Sequence, residues 1–295
     1  MPKDLQVAVL MACHNRRELT LQCLESLIAA KPDNWTLSIY LVDDGSTDGT
    51  SAAVGQLPLD IKIIQGPGDW FWAHSMFQAE QSIDKPYDAI LWINDDVQLF
   101  QDALMRVENV RQVNRDSILV GQFMDPITKE LTYGGVKKIG RHPFHFELVF
   151  AGKTNALVDT FNGNFVFLPK EISEKVGKID GGFSHAYADY DFGMRTQRLG
   201  FKSLVIAGFL GVCADNHPAI KENLRERFAA LHSPKGLPLE SQIRYLRRHG
   251  RIEWPIYLIF PYIRTALGLA SMEQRRSTST TDQEPDKYFF KRKGH

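Results

Sequence analysis

Within its first hundred residues the chain carries four short, almost uninterrupted apolar runs, and two of them end in a pair of aspartates. The runs are residues 7–11 (VAVLM), 37–42 (LSIYLV), 61–64 (IKII) and 89–93 (AILWI). A strand with one wet face alternates apolar and polar residues; a strand without that alternation must bury both faces. The runs therefore predict an α/β fold with a mainly parallel sheet and helices on both faces. Leu19, Cys23, Leu24, Leu27 and Ile28 recur at helical spacing between the first two runs. Ser46-Thr47-Asp48 can cap the next helix, and Gly66-Pro67-Gly68 breaks the chain after the third run. A βαβαβ order has right-handed crossovers and places a ligand cleft at the C-terminal strand ends.

The charged residues sit where that cleft is expected. Asp43 and Asp44 follow the second run, and Asn94, Asp95 and Asp96 follow the fourth. Two adjacent carboxylates repel each other unless a cation or a partner neutralises them. Mg2+ or Mn2+ suits such a pair when phosphate oxygens complete the shell. Each acidic turn by itself is equally an Asx-turn or a solvated loop. Two of them on one sheet edge point to a single site that reads a base or sugar and holds a metal. A third acidic element, Ala186 to Arg195 (AYADYDFGMR), enters a helix. Asp189 falls in or just before its first turn, and Asp191 points elsewhere. One of the two can be a general base while the other caps the helix or pairs with Arg195; both can also be acids favoured by the helix dipole.

After residue 120 the pattern loosens into strand-like pieces at 118–123, 159–161 and 165–168, with helices expected from Pro169-Lys170-Glu171, over 191–199 closed by Gly200, and over 223–231 and 239–249. Residues 254–270, opening at Trp254 (WPIYLIFPYIRTALGLA), are apolar but hold Pro255, Pro261 and Arg264. That is short of the roughly 20 clean apolar residues of a spanning helix. The segment reads either as a peripheral helix on a membrane surface or as one packed on the protein body or on the second subunit of a homodimer. The tail, 271–295, is polar and of low complexity and reads as disordered.

Composition excludes some classes. Lys plus Arg equals Asp plus Glu at 35 each, so no global basic field attracts nucleic acid. The cysteines, Cys13, Cys23 and Cys213, form no CxxC pair, which argues against a disulfide framework or a zinc site. The start lacks a signal-peptide apolar core, and a reducing cytoplasmic setting fits, with any membrane contact on the inner face.

Taken together, CHN at 13–15, VDDGSTDGT at 42–50, NDDV at 94–97 and ADYDFGMRTQRLGF at 188–201 resemble the family 2 glycosyltransferases of the GT-A fold, rhamnosyltransferases among them. The match runs over roughly residues 5–220. It implies an inverting, metal-dependent hexosyl- or deoxyhexosyltransferase with a Rossmann-like sheet, plus C-terminal helices. Residues 1–120 become the nucleotide-sugar half, 121–220 the acceptor half and 221–270 the C-terminal helices. Ala12 and Asp44 are implied to line the base and ribose pocket, with Asp95 reaching the ribose or the metal's water shell. Asp96 is implied as the principal ligand of Mn2+ or Mg2+, and His217 as a second one near the diphosphate. Asp69 and Trp70 lie where the family has a donor-side loop. Asp189 takes the place of the catalytic base. Ala188 stands where a Glu is usual, and Asn94 where an Asp is commoner. The implied donor is dTDP- or UDP-linked, with dTDP-rhamnose the leading choice. The implied acceptor is a glycan or a lipid-linked one, in bacterial surface glycan synthesis.

Other classes fit less well. A nucleotidyltransferase needs a Gly-rich loop after the first strand, where Ala12-Cys13-His14-Asn15-Arg16 stands. A Rossmann dehydrogenase needs a third Gly after Gly66 and Gly68. A processive synthase needs spanning helices and a QxxRW motif. The non-catalytic alternative is a degenerate member that binds a nucleotide sugar or acts as a scaffold.

Overall fold

The burial pattern of the first strand, β1 (Leu5–Cys13), explains its continuous apolar sequence. Val7, Val9 and Met11 belong to one core cluster, while Ala8 and Leu10 belong to another on the opposite face. The same alternation holds in β2 (Trp35–Asp43), where Leu37, Ile39 and Leu41 face one cluster and Tyr40 and Val42 the other. The computed structural model describes residues 4–215, 223–233 and 238–267, so the tail at 271–295 and the end of the 254–270 segment lie outside the described residues.

Helix α1 (Arg17–Ala29) joins β1 to β2. Next come α2 (Thr50–Val54), β3 (Ile61–Gln65), α3 (Phe71–Gln81) and β4 (Ala89–Ile93). The short β5 (Gln98–Leu99), α4 (Ala103–Val113) and β6 (Ser117–Val120) close this half. The pairs β1–β2, β2–β3 and β1–β4 are all parallel, so the turns after β1, β2 and β4 leave the same sheet edge. Cys23, Leu24 and Leu27 of α1 and Leu104 and Val107 of α4 cover one face. Met76 and Ala79 of α3 cover the other.

The second half begins with short strands: β7 (Phe123–Met124), β8 (Leu131–Tyr133), β9 (Gly135–Lys138), β10 (Phe146–Leu148), β11 (Ala156–Val158) and β12 (Thr160–Phe161). It continues with β13 (Phe165–Pro169), α5 (Lys170–Val176), α6 (Ala188–Arg198), β14 (Lys202–Val205) and β15 (Gly211–Val212). The strand expected at 159–161 is the two-residue β12, with Asp159 separating it from β11, and the helix expected from Asp191 begins at Ala188. Strand β13 runs antiparallel between β4 and β6, giving an eight-stranded sheet in the order β11-β14-β6-β13-β4-β1-β2-β3. The fold is therefore α/β with a mainly parallel central sheet. Two small sheets, β10-β9-β12 and β5-β15-β7-β8, flank it.

Among the described residues, three helices follow: α7 (Leu224–His232), α8 (Leu239–His249) and α9 (Trp254–Ala266). Helix α8 is fixed to α6 by a buried charge cluster. Asp191 is fully buried, and its Oδ2 accepts from Arg195 Nε at 2.9 Å and Arg248 Nη1 at 3.0 Å. His249 Nε2 donates to its Oδ1 at 2.9 Å. Burial by itself raises this carboxyl, but the His249 hydrogen bond and the Arg195 and Arg248 charges outweigh it and hold it at about 2. Helix α9 leaves Ile256, Ile259, Phe260, Ile263 and Leu267 beyond its end exposed, and Ile252 just before it is 91% exposed. No helix among the described residues is long and apolar enough to cross a membrane.

Replacing Asp191 with Asn removes the buried carboxylate that Arg195, Arg248 and His249 share, and urea unfolding is expected to show a loss of about 3 kcal/mol. Because the folded carboxyl titrates low, its stabilisation is complete above the ordinary value of 3.8 and is lost as pH falls through about 2. The variant should lack that part of the acid limb; an unchanged limb would remove the charge cluster as its cause.

Candidate active site

The turn after β1 is stitched to the turn after β2. Asn15 adopts a left-handed φ of 50°, which asparagine tolerates better than most residues. Its N–H donates to Ser46 Oγ at 2.8 Å, and its Oδ1 accepts from the Thr47 N–H at 2.8 Å. The Arg17 N–H donates to Asp48 Oδ2 at 3.0 Å. The CHN and GSTD motifs are therefore two halves of one backbone clasp.

Asp43 and Asp44 are both buried, and both hold loops. Asp43 Oδ1 accepts from the Ser46 N–H at 2.9 Å and Oδ2 from the Ser51 hydroxyl. Asp44 Oδ1 accepts from the Gly68 N–H at 2.8 Å and Oδ2 from the Phe71 N–H at 2.9 Å. A Cβ on Gly66 would lie 2.6 Å from Asp44 Oδ1 and 2.9 Å from the Trp70 ring, so only glycine fits there. Asp44 thus secures the loop bearing Asp69, which is exposed, and Trp70, which is half-buried against His74 at 5.2 Å. That loop walls a groove of about 330 Å³ whose far side is Gly181, Gly182, Phe183 and the start of α8. Ala12, half-buried and in register with Val42, is the penultimate residue of β1 on the same sheet edge.

Asp95 and Asp96 share the Arg16 guanidinium. Arg16 Nη1 lies 3.0 Å from Asp95 Oδ1 and 2.8 Å from Asp96 Oδ2. Burial pushes the Asp95 carboxyl up to about 7, against the pull of Arg16 and with the help of the Asp96 charge. Cys213 Sγ donates to Asp96 Oδ1 at 3.5 Å, and burial keeps this thiol well above its ordinary pKa, hence protonated. All three cysteines are buried free thiols. The donor chemistry fits a hard divalent ion: two carboxylate oxygens from adjacent residues already converge on one positive centre. His217 lies outside the described residues, and among the described residues no cluster of three His, Cys, Asp or Glu side chains is poised to hold a metal.

Asp189 is set by backbone donors at the start of α6. Its Oδ2 accepts from the Gly163 N–H at 2.9 Å and its Oδ1 from the Tyr190 N–H at 2.8 Å. Asp191, which the sequence left as the alternative base, is instead sealed in the arginine cluster. Ala188 is fully buried in the apolar core, so the side chain at that position adds no charge to the cleft. Tyr187 just before it has φ 70°, a strained conformation for a bulky residue. Its ring packs on Phe144 at 5.0 Å and Tyr245 at 5.1 Å, contacts that hold the strained turn in place.

Trp72 connects the two acidic centres. Its Nε1 donates to Asn94 Oδ1 at 2.8 Å, just before Asp95. Its ring occupies the space where a Cβ on Gly163 would stand, 2.4 Å from Cζ2 and Cη2. Gly163 in turn holds Asp189. Sequence reading missed Arg16, Gly163 and this use of Trp72. The one available signal was Arg16 itself, a cation directly after a strand whose edge must also carry Asp95 and Asp96.

Residues 8–176, more than half of the chain, match the family described as glycosyl transferase family 2. Among solved structures, the chain is similar to a mannosyltransferase from Pyrobaculum calidifontis in complex with GDP-Man and Mn2+, at 16% identity over 91% of this chain and 77% of that one, with a TM-score of 0.53. It is similar to S. aureus TarS in complex with UDP-GlcNAc at 13% identity over 90% and 82%, TM-score 0.58. It is also similar to GalNAc-T7 with UDP, GalNAc and Mn2+ at 14% identity over 92% and 54%, TM-score 0.62. At these identities the likeness is one of fold. No curated protein matches the sequence.

The Trp72–Gly163 contact predicts that Gly163→Ala lowers stability by about 1–3 kcal/mol, because the added methyl collides with the indole. Adding Trp72→Phe, which lacks the colliding ring, should recover part of that loss in urea unfolding. No recovery would place the collision elsewhere.

Proposed function

This chain belongs to glycosyl transferase family 2, and we propose that it moves a hexose or deoxyhexose from a nucleoside-diphosphate donor to an acceptor hydroxyl with inversion at C1. One observation carries the reading. A neutralised acid pair, Asp95–Asp96, and an amide-held carboxylate, Asp189, are tied together through Asn94, Trp72 and Gly163.

Asp189 accepts the proton of the acceptor hydroxyl as that oxygen attacks C1. The Gly163 and Tyr190 N–H donors fix the Asp189 carboxyl in position at the start of α6. A single displacement expels the nucleoside diphosphate from the opposite face, which gives inversion. Ala12, Asp44 and Asp95 serve the base and ribose, with Asp69 and Trp70 on the donor-side loop. Asp96, with Asp95 and His217, would hold Mn2+ or Mg2+, and the bound ion would supply positive charge beside the leaving diphosphate. The donor we favour is dTDP- or UDP-linked. Positioning of donor and acceptor supplies much of the remaining rate.

We further propose a glycan or lipid-linked acceptor of a bacterial surface polysaccharide, met at the inner face of the membrane. The exposed Ile256, Ile259, Phe260, Ile263 and Leu267 support a peripheral contact, since a helix with such a face lies in the interfacial plane.

Donor binding is read by thermal shift with dTDP-, UDP- and GDP-sugars and Mn2+, and turnover by product release. Asp189→Asn should lower kcat roughly a hundredfold to ten-thousandfold while keeping the donor's thermal shift. Magnetic resonance of the product should show the inverted anomer. Donor binding without turnover in the native protein would favour the degenerate binder instead. For the membrane contact, flotation with anionic vesicles should be lost in Ile256→Ser/Ile263→Ser. A native protein that ignores vesicles but dimerises through this face would assign α9 to a homodimer.

A further inference from the structure

We propose that Arg16 is a tethered counter-cation that holds the Asp95–Asp96 pair in the metal-free protein and competes with the divalent metal for both carboxylates. This rests on the metal role given to that pair under the proposed function.

The geometry is that of one cation shared by two acids. An arginine that pairs with a carboxylate commonly offers two nitrogens to its two oxygens. Here a single nitrogen, Nη1, reaches Asp95 Oδ1 at 3.0 Å and Asp96 Oδ2 at 2.8 Å. It stands at the point where oxygens from both residues converge, which is where a shared metal ion must sit. A dication cannot use those two oxygens while the guanidinium occupies them, and like charges a few ångströms apart repel.

The two sides of the contact differ in freedom. The Asp95 and Asp96 side chains are 7% and 8% exposed, whereas that of Arg16 is 29% exposed. The carboxylates are fixed at a strand end; the guanidinium has an open side toward solvent. The backbone that carries it is fixed as well. Asn15 is clasped by Ser46 and Thr47, and the Arg16 carbonyl accepts from the Thr20 N–H and hydroxyl, both at 2.9 Å. Exchange of Arg16 for metal is therefore a side-chain movement that leaves the clasp intact. In the metal-free state the same contact keeps two buried neighbouring acids from repelling each other.

The test compares Mn2+ affinity, read from the electron paramagnetic resonance of free Mn2+, in the native protein, Arg16→Gln and Arg16→Lys. Thermal unfolding is followed in EDTA and in Mn2+. Arg16→Gln should bind Mn2+ at least about tenfold more tightly, because the competing charge is gone. It should also melt lower in EDTA and gain more from Mn2+ than the native protein does. Arg16→Lys keeps a cation that contacts through one nitrogen, and should bind Mn2+ about as weakly as the native protein. Arg16→Gln binding no more tightly overturns the proposal. A second measurement needs no glutamine variant: nitrogen-15 resonance of the arginine side chains, with Arg16 assigned by its absence in Arg16→Lys. Saturating Mg2+ should release Arg16 from slow guanidinium rotation, and an unchanged Arg16 signal with the site filled overturns the proposal. If none of the three proteins binds metal, the proposal and the metal role fall together. Transfer measured in EDTA then decides separately whether the glycosyl-transfer reading stands.

Discussion

The two-sided burial of β1, β2 and β4 governs the rest of this molecule. Strands packed on both faces have no wet side, so a charged residue within them must lie in apolar surroundings at a cost of several kcal/mol. Charged side chains are therefore confined to the strand ends. Because these three strands are parallel, their C-terminal ends share one edge. Arg16, Asp43, Asp44, Asp95 and Asp96 gather there for that reason, before any ligand is considered.

Once gathered, these charges divide the work. Asp43 and Asp44 spend their oxygens on backbone amides and a hydroxyl, and so shape the loops after β2 and β3. Asp95 and Asp96 face each other across the Arg16 guanidinium. The result is a rim of loops tied to the sheet edge, with the Arg16 contact as part of it. Anchoring of this kind matters for transfer chemistry, where misplacement of a reacting group by an ångström is costly.

The second half of the chain supplies the other side of the cleft by packing. Gly163 and Gly193 exist as glycines because Trp72 and Thr160 occupy the space their side chains would need. The first approach brings the β12–β13 turn against α3 of the first half, and the second packs α6, with Asp189, on β12. Helix α8 then clamps α6 from behind through Asp191, Arg248 and His249. The Tyr245 ring of α8 lies on both Phe144 and Tyr187, so the strained turn before Asp189 is held by the C-terminal helices. Asp189 and Asp191 are two residues apart yet have opposite roles, because one faces backbone donors at the cleft and the other faces buried cations.

Much of this was legible in the sequence. Continuous apolar runs dictated strands covered on both faces, which is the usual condition of a mainly parallel sheet. The acidic turns after residues 42 and 93 marked the edge where a site had to lie, and four motifs in order marked the family. Strand β13 running antiparallel between β4 and β6, the split near residue 159 and the start of α6 at Ala188 were not legible, because they follow from long-range pairing. The family resemblance pointed to Asp189 as the base, but the burial of Asp191 among cations was not legible, because it depends on Arg248 and His249 more than fifty residues away. The sequence by itself determined the fold class and the edge on which charge collects, because local patterning and strand burial are sufficient for both. Only the tertiary structure decided which carboxylate meets amides, which meets arginines and which shares Arg16, because those partners come from separate parts of the chain and are brought together by packing.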